Sequence, residues 1–329
     1  MLSKNKSCYL GLDIGSDTIH CALLDENSSV VLMPPSLMHF GNPVEAVIEM
    51  YENVVEIIPR EHIRAVSFTG SLGRLIAETT SNPFYFDTIA ISSGADLIAP
   101  DCEYLVHVGS KDPYFFEREK TGDKTGDKSG GFFISDHGTG TKCGGGSGIL
   151  INKQVRRYFA DSTLVKLQSA GNGTDTGSDG STVPGSADKK VQGEGYRENR
   201  RKLQSQVEKM HRMASEAVSY SEKDLNVGGR CGVIIQSDMI HMQNSGEQIQ
   251  DILKGMYKRI AANFRSDVIR MRTLDRNKKT AATGGIFLNS FLTDVFAQEL
   301  GLDITLPQNC EKIGAAGAAL MALKEGKSS

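Results

Sequence analysis

Tyr9-Leu10-Gly11-Leu12-Asp13-Ile14-Gly15-Ser16-Asp17-Thr18-Ile19-His20-Cys21-Ala22-Leu23-Leu24-Asp25 reads as two apolar strands joined by a tight turn. The turn carries Asp13, Gly15, Ser16, Asp17 and Thr18. An aspartate at a strand end beside a Gly-Ser turn suits a hydrated Mg²⁺, and turn amides and hydroxyls suit phosphate oxygens. A plain polar hairpin turn uses the same residue types. The rest of the chain has to choose between them.

A second stretch points to chemistry of another kind. Thr141-Lys142-Cys143-Gly144-Gly145-Gly146-Ser147-Gly148 puts one cysteine before three glycines, at what reads as a helix start. The glycines let the backbone approach a bulky group, and a helix N-terminus favours the thiolate, a good iron–sulfur ligand. Taken alone, the stretch reads equally well as a glycine-rich phosphate loop. Leu225 to Ile235 repeats the theme, with Cys231 leaving a Gly228-Gly229 turn and entering an apolar run.

Between these landmarks the periodicity alternates between strand and helix. Pro43 to Ile58 has helical apolar spacing. Arg64 to Gly70 is a strand ending in a Thr-Gly turn, and Ile89 to Ile98 is a helix. Tyr104 to Gly109 and Tyr114 to Glu117 are strands flanking Ser110-Lys111-Asp112. Thr121 to Gly131, with its tandem Thr-Gly-Asp-Lys, is an exposed loop, and Gly131 to Asp136 a strand. A helix is expected from about Gly148 to Leu167. Residues 169–195 are rich in Gly, Ser, Thr and Asp and nearly free of large apolar side chains, so a disordered insertion is expected there. Tyr196 to Tyr220 is a charged helix and Ser245 to Phe264 a strongly amphipathic one. Lys279 to Asn289 is a strand-to-helix turn through Gly284-Gly285. A helix from Phe291 to Leu300, a strand from Ile304 to Pro307 and a small-residue helix from Glu311 to Leu320 close the chain.

The bulk numbers narrow the class. The chain has 329 residues, 39% hydrophobic, with a net charge of −3, which gives no reason to expect nucleic acid or a membrane as the main partner. No apolar run approaches the ~20 residues that span a bilayer, and Met1 to Ser7 lacks a signal-peptide core. A cytoplasmic protein is expected. Six scattered cysteines with no CxxC pair argue against a disulfide framework and a self-contained zinc site.

Two strand-rich halves, each opening with a phosphate-type turn and followed by a late Gly-Gly turn, resemble the acetate and sugar kinase/Hsp70/actin ATPase superfamily. Within it, the chain resembles the activator ATPases of 2-hydroxyacyl-CoA dehydratases and the benzoyl-CoA reductase ATPase subunits. Gly11 to Ser16 looks like the first phosphate motif, and Thr69-Gly70-Ser71-Leu72-Gly73-Arg74 like the Thr-Gly-x-Gly-Arg element. Gly94-Ala95 with Pro100-Asp101 resembles the approach to the second phosphate motif, represented by His107-Val108-Gly109-Ser110-Lys111-Asp112. Cys143 to Gly148 resembles the Cys-Ala-Ala-Gly-Thr-Gly motif, and Cys231 to Asp238 the second cluster-cysteine segment. Thr283-Gly284-Gly285 with Asn289, and Gly314-Ala315-Ala316-Gly317, resemble the adenosine region.

The resemblance implies an α/β fold of two ribonuclease-H-like, actin-like lobes with a nucleotide cleft between them. Residues 1–105 would form the first lobe, with a helix at about 308–325 packing back onto it, and 106–307 the second. It implies ATP/ADP and Mg²⁺, with Asp13 and Asp112 in catalytic positions. Nucleotide contacts would come from Gly15, Ser16, Asp17, Thr18, Gly109, Ser110, Lys111, Gly145, Gly284, Gly285, Asn289 and Gly314. It further implies a homodimer sharing one [4Fe–4S] cluster through Cys143 and Cys231 of each subunit. ATP would then drive low-potential electrons from a reduced ferredoxin or flavodoxin to a partner reductase or dehydratase. The chain departs from that pattern at His107, where the family usually has an acid, and at Lys111, where it usually has glutamine, so weakened or reorganised hydrolysis is expected. A small-molecule kinase of the same fold, such as an N-acetylhexosamine kinase, and a nucleotide-sensing scaffold remain as alternatives.

Overall fold

The computed structural model describes residues 7–120, 132–140, 148–160 and 186–328, with side chains from 195 onward in the last segment and to 327. Cys143, Gly145, the tandem Thr-Gly-Asp-Lys loop and residues 161–185 lie outside the described residues.

The first sheet is built on β1 (Cys8–Ile14), whose apolar residues are all buried, as a central strand covered on both faces demands. It pairs antiparallel with β2 (Thr18–Asp25) and parallel with β5 (Ile63–Thr69). Two short strands, β3 (Val30–Leu32) and β4 (Leu37–Met38), extend β2. Helix α1 (Pro43–Val55) starts on the Asn42 side chain, which accepts from the Glu45 amide, with proline at the first helical position. Helices α2 (Gly73–Thr80) and α3 (Asp87–Ile98) follow β5.

The second sheet repeats the plan. Its strands are β6 (Tyr104–Val108), β7 (Pro113–Lys120), β8 (Phe132–Thr139), β9 (Thr280–Thr283) and β10 (Ile304–Thr305). The order β8-β7-β6-β9-β10 has two antiparallel pairings followed by two parallel ones. This matches β3-β2-β1-β5 of the first sheet, so β6 is the counterpart of β1. The boundary expected between residues 105 and 106 falls inside β6, which belongs whole to the second sheet.

Helices α4 (Gly148–Phe159), α5 (Ser186–Ser219), α6 (Gly232–Asn244), α7 (Ile249–Phe264) and α8 (Ser290–Leu300) complete the second half. The apolar stripe of α7 (Ile252, Met256, Tyr257, Ile260 and Phe264) is buried in one core with β6, α4, α5 and α8. Residues 186–195, expected to belong to the disordered insertion, are helical. They extend α5 from a segment anchored by Leu203, Val207, Met210, Ala214 and Val218, and a packed turn propagates into neighbouring helix formers without a new nucleus. The approach to Cys143 also holds strand structure to Thr139, beyond the expected end at Asp136.

The last helix, α9 (Ile313–Ser328), returns to the first half and packs on β1 and α3. Its small residues are used as such. A Cβ on Gly317 would stand 1.7 Å from the Ala90 carbonyl oxygen, and one on Gly94 would stand 2.0 Å from the Ile313 carbonyl. Helix α3 and α9 therefore touch backbone to backbone. Ile91, Ala95 and Ile313 join Leu105, Phe116 and Ala281 in an apolar cluster between the two sheets.

Candidate functional site

The site follows from the duplicated topology. The β1–β2 turn, the β6–β7 turn and the end of β9 face one another across a cleft of about 770 Å³. Asp13, Gly15, Ser16 and Thr18 line it from the first sheet, and Gly109, Ser110, Lys111 and Asp112 from the second. Gly284, Gly285, Asn289 and Gly314 complete the set of expected residues in its wall. Asp17 does not line the cleft: its Oδ2 accepts from Asn152 Nδ2 of α4 at 3.1 Å, so this carboxylate joins the halves instead of facing a ligand. Cys231 stands apart from the cleft wall, at the N-cap of α6.

Asp13, the last residue but one of β1, lies between two glycines. A Cβ on Gly70 would lie 2.5 Å from Asp13 Oδ1, and one on Gly314 would lie 2.3 Å from Oδ2. Gly70 also has a φ of +89°, which glycine adopts freely. Burial pushes the Asp13 pKa up to about 7, and the nearby Asp87 carboxylate adds to the shift. Asp87 opens α3 and accepts from the Gly70 amide at 3.0 Å and the Thr69 hydroxyl at 3.3 Å. Two carboxylates so placed lower their mutual repulsion by taking up a proton or by meeting a cation. The Ser16 hydroxyl is buried with no protein partner, although the turn around it is closed by a 3.0 Å bond from the Gly15 amide to the Thr18 carbonyl. A phosphate oxygen would satisfy that orphaned hydroxyl. The donor set thus fits a magnesium-bound phosphate chain.

On the opposite wall Gly284 has a φ of +102°, and a Cβ there would stand 2.2 Å from the Val108 carbonyl, so the β9 turn lies against the end of β6. Asn289 caps α8, accepting from the Phe291 amide. The N-terminus of α4 sits on the second phosphate-type turn: the Gly148 amide donates to the Gly109 carbonyl at 3.1 Å, and the Ile149 amide to the Ser110 carbonyl at 3.0 Å. Those bonds occupy two amides that begin a helix. The helix that follows Cys143 in sequence therefore starts on the cleft wall.

Two imidazoles occupy the cleft floor. His107 Nδ1 is 3.1 Å from the Thr283 hydroxyl, and burial, reinforced by nearby His20, pulls its pKa down to about 3. His20 lies opposite Asp13 in the β1–β2 register and 2.7 Å from the Ser36 hydroxyl. Its pKa is pulled down to about 4, first by burial, with Glu311 and Lys312 acting in opposite directions. Both rings are neutral near pH 7. A neutral His107 brings no charge to a metal, in keeping with the expectation that this position departs from an acid.

Several cleft residues had not been singled out from the sequence. Asp87 reads as an ordinary first-turn acid of a helix. Glu208, His211, Arg212 and Ser215 line the cleft from α5 at i, i+3, i+4 and i+7 spacing. That polar stripe opposes the apolar one on the same helix, and the paired stripes were the signal available. Glu311 and Lys312 enter from the turn before α9.

Cys231 is partly exposed, and the carbonyl of its residue accepts from the Ile235 amide at 3.0 Å. Beside it Val233 and Ile234 are 70% and 57% exposed. Among the described residues no group of three His, Cys, Asp or Glu side chains is placed to hold a metal ion. No helix among them is long and apolar enough to cross a membrane.

No protein-family model matches the chain. A stretch of 109 residues, 33% of the chain, is 28% identical to the 2-hydroxyisocaproyl-CoA dehydratase activator of Clostridioides difficile, and spans 40% of that protein's length. The crystal structure of component A of (R)-2-hydroxyglutaryl-CoA dehydratase from Acidaminococcus fermentans is similar over 98% of this chain and 99% of that one, with a TM-score of 0.68 and 19% identity. The activator of the 2-hydroxyisocaproyl-CoA dehydratase from Clostridium difficile, solved with bound ADPNP, is similar over 98% and 96%, with a TM-score of 0.67 and 18% identity. The two structural likenesses bear out the expected α/β fold of two lobes over nearly the whole chain.

Proposed function

We propose that this chain is an ATP-driven activator of the 2-hydroxyacyl-CoA dehydratase type, which passes low-potential electrons to a partner reductase or dehydratase. The observation that carries the proposal is the seat of α4. Gly148 and Ile149 are bonded to Gly109 and Ser110, so a helix running from the Cys143 stretch takes its position from the phosphate turn. On the other flank Asn152 of the same helix reaches Asp17 in the first phosphate turn. A change in either turn would move α4, which would then serve as the two-state element such coupling requires.

The nucleotide would lie along the cleft. Ser16, Thr18, Gly109, Ser110 and Lys111 would hold its phosphates, and the Gly284-Gly285 turn, with the polar stripe of α5, its nucleoside end, while Gly314 backs the Asp13 carboxylate. Asp13 and Asp87 would hold hydrated Mg²⁺, which keeps most of its water and needs only one or two carboxylates. Asp87 then supplies the acid that position 107 lacks. Asp112 would face the transferred phosphate from the other wall. Neutral His20 and His107 would accept or donate single hydrogen bonds at the floor, and Lys111 would hold charge on the terminal phosphate without taking a proton.

Cys143 and Cys231 of each of two subunits would hold one [4Fe–4S] cluster, which supplies single electrons at low potential when bound. Cys231 fits that role as a partly exposed thiol at a helix N-terminus, bordered by exposed Val233 and Ile234 that suit a subunit or partner surface. A reduced ferredoxin or flavodoxin would serve as donor.

The experiment is anaerobic electron transfer from a chemical reductant to a captured partner, with Mg·ATP, Mg·ADP or no nucleotide. Transfer that needs ATP and ceases in Asp13→Asn supports the reading. Transfer at the same rate without nucleotide refutes it. Phosphorylation of a sugar by the chain alone would replace it with the kinase reading.

A further inference from the structure

We propose that helix α5 is a strap between the lobes, and that Gln204 is its positioning residue, setting how fast nucleotide leaves the cleft. The inference rests on the nucleotide reading above and adds to it the element that gates release.

The strap forms part of the cleft wall through Gln204, Glu208, His211 and Arg212 and is fixed to both lobes. One stripe of α5, Leu203, Val207 and Met210, is fixed in the core of the second lobe. Another grips the first lobe. Arg200 makes a two-pronged pair with Glu49 of α1, at 3.0 Å and 2.7 Å, with both side chains only 2% exposed. Such a pair fixes α5 against α1 in one register.

One turn further on, the Gln204 carboxamide is saturated. Its Oε1 accepts from the Met38 amide at 3.0 Å and from Arg200 at 2.9 Å. Its Nε2 donates to the Ser36 carbonyl at 3.0 Å and to Glu208 at 3.0 Å. An amide with all four positions filled has one orientation only. One turn before Arg200, the Tyr196 hydroxyl donates to the His39 carbonyl at 2.9 Å.

The segment Ser36–His39, held from outside by Tyr196 and Gln204, holds the phosphate turn from inside. The Ser36 hydroxyl meets His20 Nδ1 at 2.7 Å. The His39 amide donates to the Asp17 carbonyl at 3.0 Å. His39 Nδ1 accepts from the Gly41 amide at 3.2 Å, so the ring proton sits on Nε2 and is donated to the Gly15 carbonyl at 3.2 Å. These bonds tie the first phosphate turn to Ser36–His39, so the turn cannot move away from α5 unless that segment leaves Gln204 and Tyr196. Opening the cleft therefore requires release of Gln204.

The test is stopped-flow release of a fluorescent ADP analogue in the presence of Mg²⁺ from the full chain. The variants are Gln204→Leu, Ser36→Ala and the double variant, with Lys223→Ala on a distant surface pair as control. Release is expected to speed up about tenfold in Gln204→Leu, the loss of one or two net hydrogen bonds. The melting temperature is expected to stay close to that of the wild type. The double variant is expected to be no faster than the quicker single one, because both break the same path. Hydrogen exchange at the Met38 amide is expected to accelerate in Gln204→Leu. Release at the wild-type rate in Gln204→Leu overturns the strap while leaving nucleotide binding intact. A wild-type chain that binds no ADP analogue overturns the nucleotide reading, and the strap with it.

Discussion

Asp13→Asn should make the nucleotide-free protein more stable, and more so as the pH rises. The Asp13 pKa is raised from 3.8 to about 7 by burial and by Asp87. Between those values the folded chain holds a proton that the unfolded chain releases. Stability therefore falls as pH climbs through this window and levels off above about 7. A shift of about three units at ~1.4 kcal/mol each gives roughly 4 kcal/mol in the limit. Asp13 keeps part of its surface open to the cleft, and water there lowers the figure to about 2–4 kcal/mol at pH 8. Asparagine has the same shape, fits between Gly70 and Gly314, and carries no charge. The assay is urea unfolding of both proteins in EDTA from pH 4 to pH 8. The two should agree at pH 4 and diverge upward, with the variant ahead. Adding Mg²⁺ and ATP should reverse the order, because only the wild type gains binding energy from the metal. A difference that is constant with pH would mean that Asp13 is no desolvated carboxylate awaiting a cation.

Other consequences are as specific. Gly314→Ala places a methyl 2.3 Å from Asp13 Oδ2 and must move the carboxylate, so ATP turnover measured by phosphate release should fall by about 10² if the geometry slips by ~1 Å. The melting temperature should fall, since displacing a carboxylate wedged between Gly70 and Gly314 costs about 1–3 kcal/mol against the ~1 kcal/mol that alanine returns as a helix former. Arg200→Met leaves Glu49 buried with only the exposed Arg201 near it, and should destabilise by about 3–5 kcal/mol in denaturant. Arg200→Met with Glu49→Met should recover most of that loss. His107 and His20 have folded pKa values of about 3 and 4 against an ordinary 6.5, so both oppose folding as pH drops below about 6.5. His107→Gln should accordingly flatten the acid limb of the stability curve. Gln154 of α4 is buried with neither carboxamide atom bonded to protein, so Gln154→Leu should stabilise the fold by about 1–2 kcal/mol in thermal melts.

Local chemistry made the phosphate turns readable. A strand, an aspartate and a Gly-Ser turn are contiguous at Leu10 to Ser16, and the duplicated pattern at Val106 to Asp112 comes with its own strands. The small residues of α9 likewise announced close packing. What stayed hidden depends on partners far away in sequence. Gln204 meets Met38 across 166 positions, and nothing near either residue encodes the meeting. Asp17 has the same chemistry as its neighbours, and only the position of Asn152 turns it out of the cleft. Asp87 looks like any acid in a first helical turn until the Gly70 amide and Asp13 stand beside it. The helix at 186–195 was masked by the composition of residues 169–185, because a low-complexity stretch averages over a boundary that tertiary packing sets.

The decisive measurement is iron content and mass of the anaerobically reconstituted chain. The proposal predicts a brown dimer with about four irons per two chains, as four thiolates hold one [4Fe–4S] cluster. It also predicts that Cys231→Ala loses the iron while still binding Mg·ATP. A colourless monomer that takes up no iron, or a Cys231→Ala variant that keeps its full complement, would contradict it.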